Sequence, residues 1–454
     1  MITMQLAAAA AALGADLHGD DRLFNGVSTD TRSLSPGQLF VALRGPNFDA
    51  HDKLNDAAAA GAVAAIVERK MPGTLPQVVV ADSRRALGDL ARHWRLGFAL
   101  PVLAVTGSAG KTTVKEMLAA IMRSAGPVLA TRGNFNNDIG LPLTLFQLDA
   151  SHRAAVLEMG ANHVGDIALL AAIARPQVGV ITLCAPCHLE GFGSIEGVAR
   201  TKGELFTALG ADGIAIINNE DEQAPLWRSL AGARTIVSFG VGGDFSARDV
   251  HASSAGSRFT LCAPAGEIEI VLHHRGLHNV RNALAAAAAA HALGVSLVDI
   301  QGGLASADTV VGRLQFRAGL AGSRLIDDTY NANPASLAAA LAVLGTEREP
   351  RWLVLGDMRE LGADAALYHR AVGTQASAAG VARLFTLGAL AAHAAESFGG
   401  TVIHSGERDA LVAALRTALA ASESSPPTIL LKGSRAMALD QVAAALADGN
   451  ARGC

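Results

Sequence analysis

The sequence predicts an α/β protein of three units: a central parallel-sheet unit flanked by a small N-terminal α/β unit and a C-terminal doubly wound one. Three observations carry that reading. An apolar run, Pro101 to Val105, leads into the turn Gly107-Ser108-Ala109-Gly110-Lys111-Thr112-Thr113, and Val114 onward is helical in pattern. Strand-like and helix-like segments then alternate, with strands at 102–105, 154–157, 178–183 and 214–217. A second series follows Gly312-Arg313, with strands at 324–327, 352–355, 384–387, 402–404 and 429–431. The boundaries these set are 1–98, 99–312 and 313–454, in keeping with about three domains for a chain of this length.

Composition narrows the function classes. Half of the 454 residues are apolar and 17% are charged, so the chain buries sizeable cores. A net charge of −4 without a basic block argues against nucleic acid as the main partner. No run of 18 apolar residues occurs, so no membrane span is expected. Four cysteines are too few for a disulfide scaffold. The alanine-rich start, Met1 to Ala15, lacks a positive segment and reads as a first helix ending at Gly14 rather than an export signal. A cytoplasmic protein is the expectation. Cys184-Ala-Pro-Cys187-His188 has the spacing of a haem attachment site, but it closes a strand in a chain without an export signal, so no haem is expected.

Taken in order, the N-terminal unit carries Ser28-Thr-Asp30-Thr31-Arg32, a turn at Ser35-Pro36-Gly37 and a strand over 38–43. A helix closing at 57–61, strands at 62–67 and 77–81, and a helix from Asp82 through Trp94 complete it. Leu100-Pro101 marks the boundary. Within the central unit, Phe245 to His274 changes to three alternating runs separated by glycine-containing turns, which predicts a small antiparallel insert. Gly276 to Asn282 opens a long alanine-rich helix ending near Gly294. The C-terminal series has no Gly-x-Gly-x-x-Gly after its first strand, which argues against a dinucleotide site there.

The chemistry centres on the glycine turn. Its backbone N–H groups at a helix start suit phosphates, Lys111 reaches the β/γ-phosphates, and the Thr112 hydroxyl suits Mg2+. Val105 occupies the place of the first glycine of the longer pattern, so this is the short Gly-x-x-Gly-Lys-Thr form. Glu158 ends an apolar strand, as a carboxylate that holds Mg2+ does, and His188 is read as ending the next strand. Strand ends of one parallel sheet converge, which places both beside the turn. His188 is equally an ordinary loop histidine, and Lys202 with Glu204 equally a solvated helix face.

Together these stretches resemble the Mur ligase family, the ATP-dependent amide-forming enzymes of peptidoglycan synthesis. The resemblance runs through Thr29-Asp-Thr-Arg, Gly37-Gln-Leu-Phe-Val-Ala-Leu-Arg-Gly, the glycine turn with Val114-Lys-Glu, and Gly133-Asn-Phe-Asn-Asn-Asp-Ile-Gly-Leu-Pro. It continues through Glu158-Met-Gly-Ala-Asn-His-Val-Gly-Asp-Ile, His188-Leu-Glu-Gly-Phe-Gly-Ser, Asp327-Asp-Thr-Tyr-Asn-Ala-Asn-Pro-Ala-Ser and Leu355-Gly-Asp-Met-Arg-Glu-Leu-Gly. It implies a P-loop ATPase unit in the middle, a UDP-substrate unit before it and a Rossmann-like unit after it. The wording is nearest to the member that joins D-alanyl-D-alanine to UDP-N-acetylmuramoyl-tripeptide through an acyl phosphate. ATP and Mg2+ are then the cofactors, those two substrates the partners, and a monomer the expected state.

By the same resemblance, Gly107 to Thr113 cradle ATP, Lys111, Glu158, His188 and Lys202 are the catalytic set, and Asn282, Arg313 and Asp328 meet adenine, phosphates and ribose. Thr112, Glu158 and His188 hold metal, joined by Lys202 if it is carbamylated, which turns a cation into an anion. Thr31 and Arg32 sit by the UDP group, Asn136 and Asn137 by the peptide, and Asn331 and Asn333 by substrate or nucleotide. Three plainer readings stand beside these: Asn282 as a helix cap, Asp328 as a strand-end carboxylate, and Asn331-x-Asn333-Pro as turn chemistry. The chain departs from the family pattern at Ala109, at Leu183 where Asn is usual, at Cys187 before His188, and at Lys53 where an aromatic is common. Competing assignments are a sibling ligase adding the third peptide residue, a folylpolyglutamate synthase-like enzyme, and a nucleotide-dependent switch.

Overall fold

The first helix, Leu6–Leu13, stops where Gly14 turns left-handed (φ 60°), as the alanine run before it implied. The structure, a computed structural model, describes residues 1–253, 255–422 and 424–448. The last six residues of the expected third unit, Glu423 in the Ser422–Pro427 loop and Ser254 in the expected insert lie outside the described residues.

In the N-terminal unit a five-stranded sheet runs in the order Asp16–His18, Gln77–Val79, Ala64–Val67, Leu39–Val41, Val27–Ser28. All pairs are parallel except the first. Asp82 accepts from the N–H groups of Arg84 and Arg85 and so starts the helix Ser83–Leu96. That helix and Leu6–Leu13 pack their apolar faces, through Leu6, Leu87 and Leu90, into the same core as Phe146, Ala155 and Leu157 of the middle unit.

The central sheet is wholly parallel, in the order Val128–Ala130, Ala154–Glu158, Val102–Thr106, Val178–Ile181, Ile214–Asn218, Thr235–Phe239. The four inner strands are those the apolar runs predicted. Sequence reading missed the two edge strands, which are partly exposed and lack a continuous apolar run. The strand expected over 178–183 ends at Ile181, because Thr182 and Leu183 turn off to bond the glycine turn: Thr182 Oγ1 donates to the Ala109 carbonyl (2.6 Å) and the Leu183 carbonyl accepts from Ser108 N (2.9 Å). The helices Lys111–Met122 and Leu277–His291 cover one face. Ala285 to Ala290 are all buried, and their small side chains let the second helix lie close against its neighbours. The expected antiparallel insert is present as Ser246–Ser253, Gly256–Ala263 and Gly266–Leu272.

The C-terminal sheet has the order Gln315–Ala318, Arg324–Asp327, Thr428–Lys432, Arg351–Gly356, Val381–Leu387, Thr401–Ser405. Only the first strand, which was not anticipated, runs antiparallel. Separate apolar cores cover its two faces. In both large sheets, ligand-binding positions of an open α/β sheet lie beyond the C-terminal strand ends. Here those ends are brought together.

Candidate active site

The glycine turn needs its glycines for shape. Gly107 has φ 148°, and a Cβ there would stand 1.8 Å from Thr182 Oγ1. Gly110 has φ 81°, caps the helix Lys111–Met122, and a Cβ on it would meet Asn282 Oδ1 at 2.6 Å. Ser108 is buried; its hydroxyl bonds the Ala185 carbonyl (3.0 Å) and accepts from Ala185 N (2.9 Å) and the Cys187 thiol (3.2 Å). The turn is thus fixed from the side by residues 182–187. The Lys111 ammonium folds back onto the Gly107 carbonyl (2.8 Å); burial, then the neighbouring Lys202 cation, push its pKa down to about 8.

One helical residue on, Thr112 Oγ1 donates to Glu158 Oε2 (2.8 Å), and Asn136 Nδ2 donates to the other carboxylate oxygen (2.7 Å). Glu158 is 2% exposed. A hydroxyl oxygen and a buried carboxylate meeting at a helix start are a donor pair of the kind a hard divalent cation prefers. Among the described residues no three His, Cys, Asp or Glu side chains gather as a metal set, so further ligands would have to come from substrate phosphates or from other groups.

Two cavities border the glycine turn, one at Ala109, Gly110 and Thr113 and the other at Gly107 and Lys111. The first, about 470 Å3, is lined by Gly110, Thr113, His278, Asn282, Asp328 and Lys432. The second, about 400 Å3, is lined by Lys111, Asn136, Glu158, His188, Lys202 and Arg435. Arg313 lines both. Asn282 lies more than a turn inside Leu277–His291 and bonds Asn279 Oδ1 (2.8 Å), so it is not a cap; its amide faces the glycine turn. Burial drives His278 down to about 4 and keeps it neutral.

The C-terminal unit closes onto this centre. Arg313 Nη2 approaches Thr112 Oγ1 at 3.4 Å, and its guanidinium lies 4.2 Å from the Tyr330 ring centroid. Asp328 accepts from Leu314 N (3.2 Å) and from the buried Lys432 ammonium (2.5 Å), which also bonds the Asn331 carbonyl (2.9 Å). Asn333 caps the helix Pro334–Leu344 through Ser336 N (2.8 Å), so the turn-chemistry reading holds for it. Its other side-chain atom, Nδ2, donates to the Ser108 carbonyl (3.0 Å), which ties the cap to the glycine turn. His188, at φ 49°, sits against the Glu360 carboxylate, and Leu189 N bonds the Glu360 carbonyl (2.8 Å). Burial lowers the His188 pKa against the opposing pull of Glu360.

Other expected residues are placed less centrally. Asn137 Oδ1 starts the short helix Gly140–Leu145 by accepting from Gly140 N (2.8 Å), with its side of the loop still on the second cavity. The Asn331 side chain is exposed and bonds Ala332 N. Lys202 is 2% exposed, with Nζ 5.9 Å from the Phe192 ring centroid. Thr31 and Arg32 do not line the roughly 500 Å3 cleft that residues 26–30 form with 134–147. Arg32 is held instead by Asp30 (2.6 Å) in solvent and keeps that carboxyl near 2. Sequence reading did not single out Asn279, His278, Glu360, Lys432, or the Arg84–Asp138 pair (2.7 Å) that links the N-terminal helix to the 134–139 loop. Lys432-Gly-Ser-Arg435 at a strand end carried a signal, since a cation there faces the sheet's ligand-binding edge.

Residues 105–290 match the Mur ligase middle domain, 312–435 the Mur ligase glutamate ligase domain, and 23–95 the catalytic domain of the Mur ligase family. The chain belongs to the Mur ligase family. It is 44% identical over 450 residues to the UDP-N-acetylmuramoyl-tripeptide–D-alanyl-D-alanine ligase of Escherichia coli K12, covering 98% of this chain and 99% of that one. A MurF crystal structure from Acinetobacter baumannii superposes with a TM-score of 0.94 at 35% identity, covering 98% of each chain. MurF from Thermotoga maritima in complex with ADP superposes at 0.80 with 28% identity, covering 93% of this chain and 96% of that one.

Proposed function

We propose that this chain is an ATP-dependent ligase that joins D-alanyl-D-alanine to UDP-N-acetylmuramoyl-tripeptide, yielding the UDP-pentapeptide, ADP and phosphate. The whole-length likeness to ligases of that name supports it, and one observation in the structure supports the chemistry: the glycine turn and Arg313 contribute to the walls of both cavities. Nucleotide takes the first, with its base near Asn282 and His278, its ribose by Asp328, and its phosphates on Gly107 to Thr113. The peptide carboxylate and the incoming amine take the second. The division 1–98, 99–312 and 313–454 then assigns one unit to each of UDP substrate, ATP and the closing partner.

A carboxylate is a poor electrophile until one of its oxygens carries a good leaving group. Its oxygen attacks the γ-phosphorus of ATP, the bond to ADP breaks, and an acyl phosphate forms. The D-alanyl-D-alanine amine then attacks the carbonyl carbon and phosphate departs. The chain's part is positioning and charge. Lys111 leaves the Gly107 carbonyl for the β/γ-phosphates, Arg313 adds a second cation from the C-terminal unit, and docking of that unit excludes water from the acyl phosphate. Thr112 and Glu158 fit a Mg2+ ion, which when bound neutralises phosphoryl charge. His188 and Lys202, which line the same cavity, would hold a second cation if Lys202 were carbamylated; as an ammonium, Lys202 repels a cation. Thr31, Arg32, Asn136, Asn137 and Asn331 remain the proposed substrate contacts. The proposed compartment is the cytoplasm and the proposed state a monomer; among the described residues no helix is long and apolar enough to cross a membrane.

The test is phosphate release from Mg-ATP with UDP-N-acetylmuramoyl-tripeptide, with and without D-alanyl-D-alanine, and the product mass. Release that needs both substrates and gives a UDP-pentapeptide is expected. Activity only with the UDP-dipeptide and a free diamino acid assigns the sibling ligase instead, and no substrate-dependent release points to a switch.

A further inference from the structure

Lys115 lies on the glycine-turn helix one turn beyond Thr112, and no step above uses it. It is 1% exposed. Its ammonium bonds the Thr131 carbonyl (2.7 Å) and pairs with the half-buried Glu116 carboxylate. Thr131, also 1% exposed, is fixed in turn to the strand that ends in Glu158: Thr131 N donates to the Val156 carbonyl (3.1 Å), and Thr131 Oγ1 accepts from Glu158 N (3.0 Å). Two routes therefore join the helix to the carboxylate. One is direct, from the Thr112 hydroxyl to Glu158 Oε2 (2.8 Å). The other runs from the Lys115 ammonium through Thr131 to the Glu158 backbone.

We propose that Lys115 is a positioning residue that sets the spacing of Thr112 and Glu158 for the divalent cation, acting through Thr131. The direct bond is made by the two ligand atoms themselves, so an ion drawn to their lone pairs perturbs it. The second route involves neither ligand atom and persists. Thr131 is also the root of the 131–139 loop, whose Asn136 bonds the other Glu158 oxygen (2.7 Å), so the same lysine steadies the carboxylate from both sides. A buried ammonium is a costly way merely to fill space; a methionine fills nearly the same volume with no charge to desolvate. What a methionine lacks is the directed bond to the Thr131 carbonyl.

This rests on Thr112 and Glu158 being the cation site, and the experiment separates the two claims. Mn2+ binding to the full chain with ADP is measured by electron paramagnetic resonance in the parent, Lys115→Met, Lys115→Arg, Thr131→Val and the Met/Val double variant, each with its unfolding midpoint. Loss of a partner behind a metal ligand typically weakens metal binding on the order of 10-fold. Weakening of that size is expected in Lys115→Met and in Thr131→Val. The double variant should be no worse than either single one, and Lys115→Arg should restore binding. Midpoints should not track these losses. If the parent with ADP binds no Mn2+, the cation site and the proposal fall together. Parent-like binding in Lys115→Met overturns the role of Lys115 alone, as does additive loss in the double variant. Should Lys115→Met not fold, Thr131→Val decides: parent-like binding there overturns the proposal, and a 10-fold loss at an unchanged midpoint supports it.

Discussion

Asn333 does two jobs that substitution can separate. Its Oδ1 caps the helix Pro334–Leu344 by accepting from Ser336 N (2.8 Å), and its Nδ2 reaches the Ser108 carbonyl in the glycine turn (3.0 Å). Alanine removes both. Losing an N-cap costs about 1 kcal/mol, and losing a buried hydrogen bond about 1 kcal/mol more, with the Ser108 carbonyl left without that partner. The cap term acts on the stability of the C-terminal unit, where 1 kcal/mol shifts a midpoint by about 4 °C. The bridge acts on docking, where 1 kcal/mol is about a 5-fold change in the equilibrium constant and up to about 5-fold in the docked fraction. Serine keeps a capping hydroxyl too short to reach Ser108. Asn333→Ser should therefore unfold close to the parent and turn over more slowly, by up to about 5-fold. Asn333→Ala should show the same kinetic loss and unfold about 4 °C lower in the C-terminal transition. Calorimetry and steady-state ADP release check both. Parent-like turnover in Asn333→Ser would remove the bridge from closure, and an equal loss of stability in both variants would remove the cap.

Arg313→Ala, which strips the contact to Thr112 and the stacking on Tyr330, should lower kcat by more than it raises the KM for the UDP substrate; unchanged turnover contradicts its placement at the closure. His278 is held near 4 where an unfolded histidine titrates at 6.5, so protons favour the unfolded chain between those values and stability should fall as pH drops from 6.5 to 4. His278→Gln should flatten that part of the pH–stability profile, and an identical slope in the variant would place the titration elsewhere. Depleting bicarbonate should lower activity reversibly, and native mass spectrometry should find a carbamate on Lys202; neither effect would leave Lys202 as a buried ammonium.

Much of the site was legible because its signals are local. The glycine turn, Thr112 and Lys111 lie within seven residues of each other, and Glu158 closes one apolar strand while His188 lies seven residues past another, in a sheet whose strand ends must converge. The alternating runs of the antiparallel insert and the alanine run of Leu277–His291 likewise carry their structure in their periodicity. What was missed is either weakly patterned or remote. Val128–Ala130 is three residues long at a sheet edge, and Gln315–Ala318 is a half-exposed antiparallel edge without an apolar run. The partners of Asn333, Asp328 and His188 are 225, 104 and 172 residues away, and no spacing rule connects them. Arg32 shows a different limit: the sequence suggests a phosphate role for it but not that Asp30, two residues earlier, pairs with it in the structure.

The acyl phosphate is the claim on which the two-cavity arrangement depends, and oxygen-18 in the terminal carboxylate of the UDP-tripeptide tests it most directly. With ATP, Mg2+ and D-alanyl-D-alanine, the released phosphate should carry one labelled oxygen per turnover, transferred when the carboxylate attacked the γ-phosphorus. Unlabelled phosphate alongside normal amide formation would mean that the carboxylate never bonded to phosphorus and would contradict the arrangement of nucleotide and peptide in the two cavities.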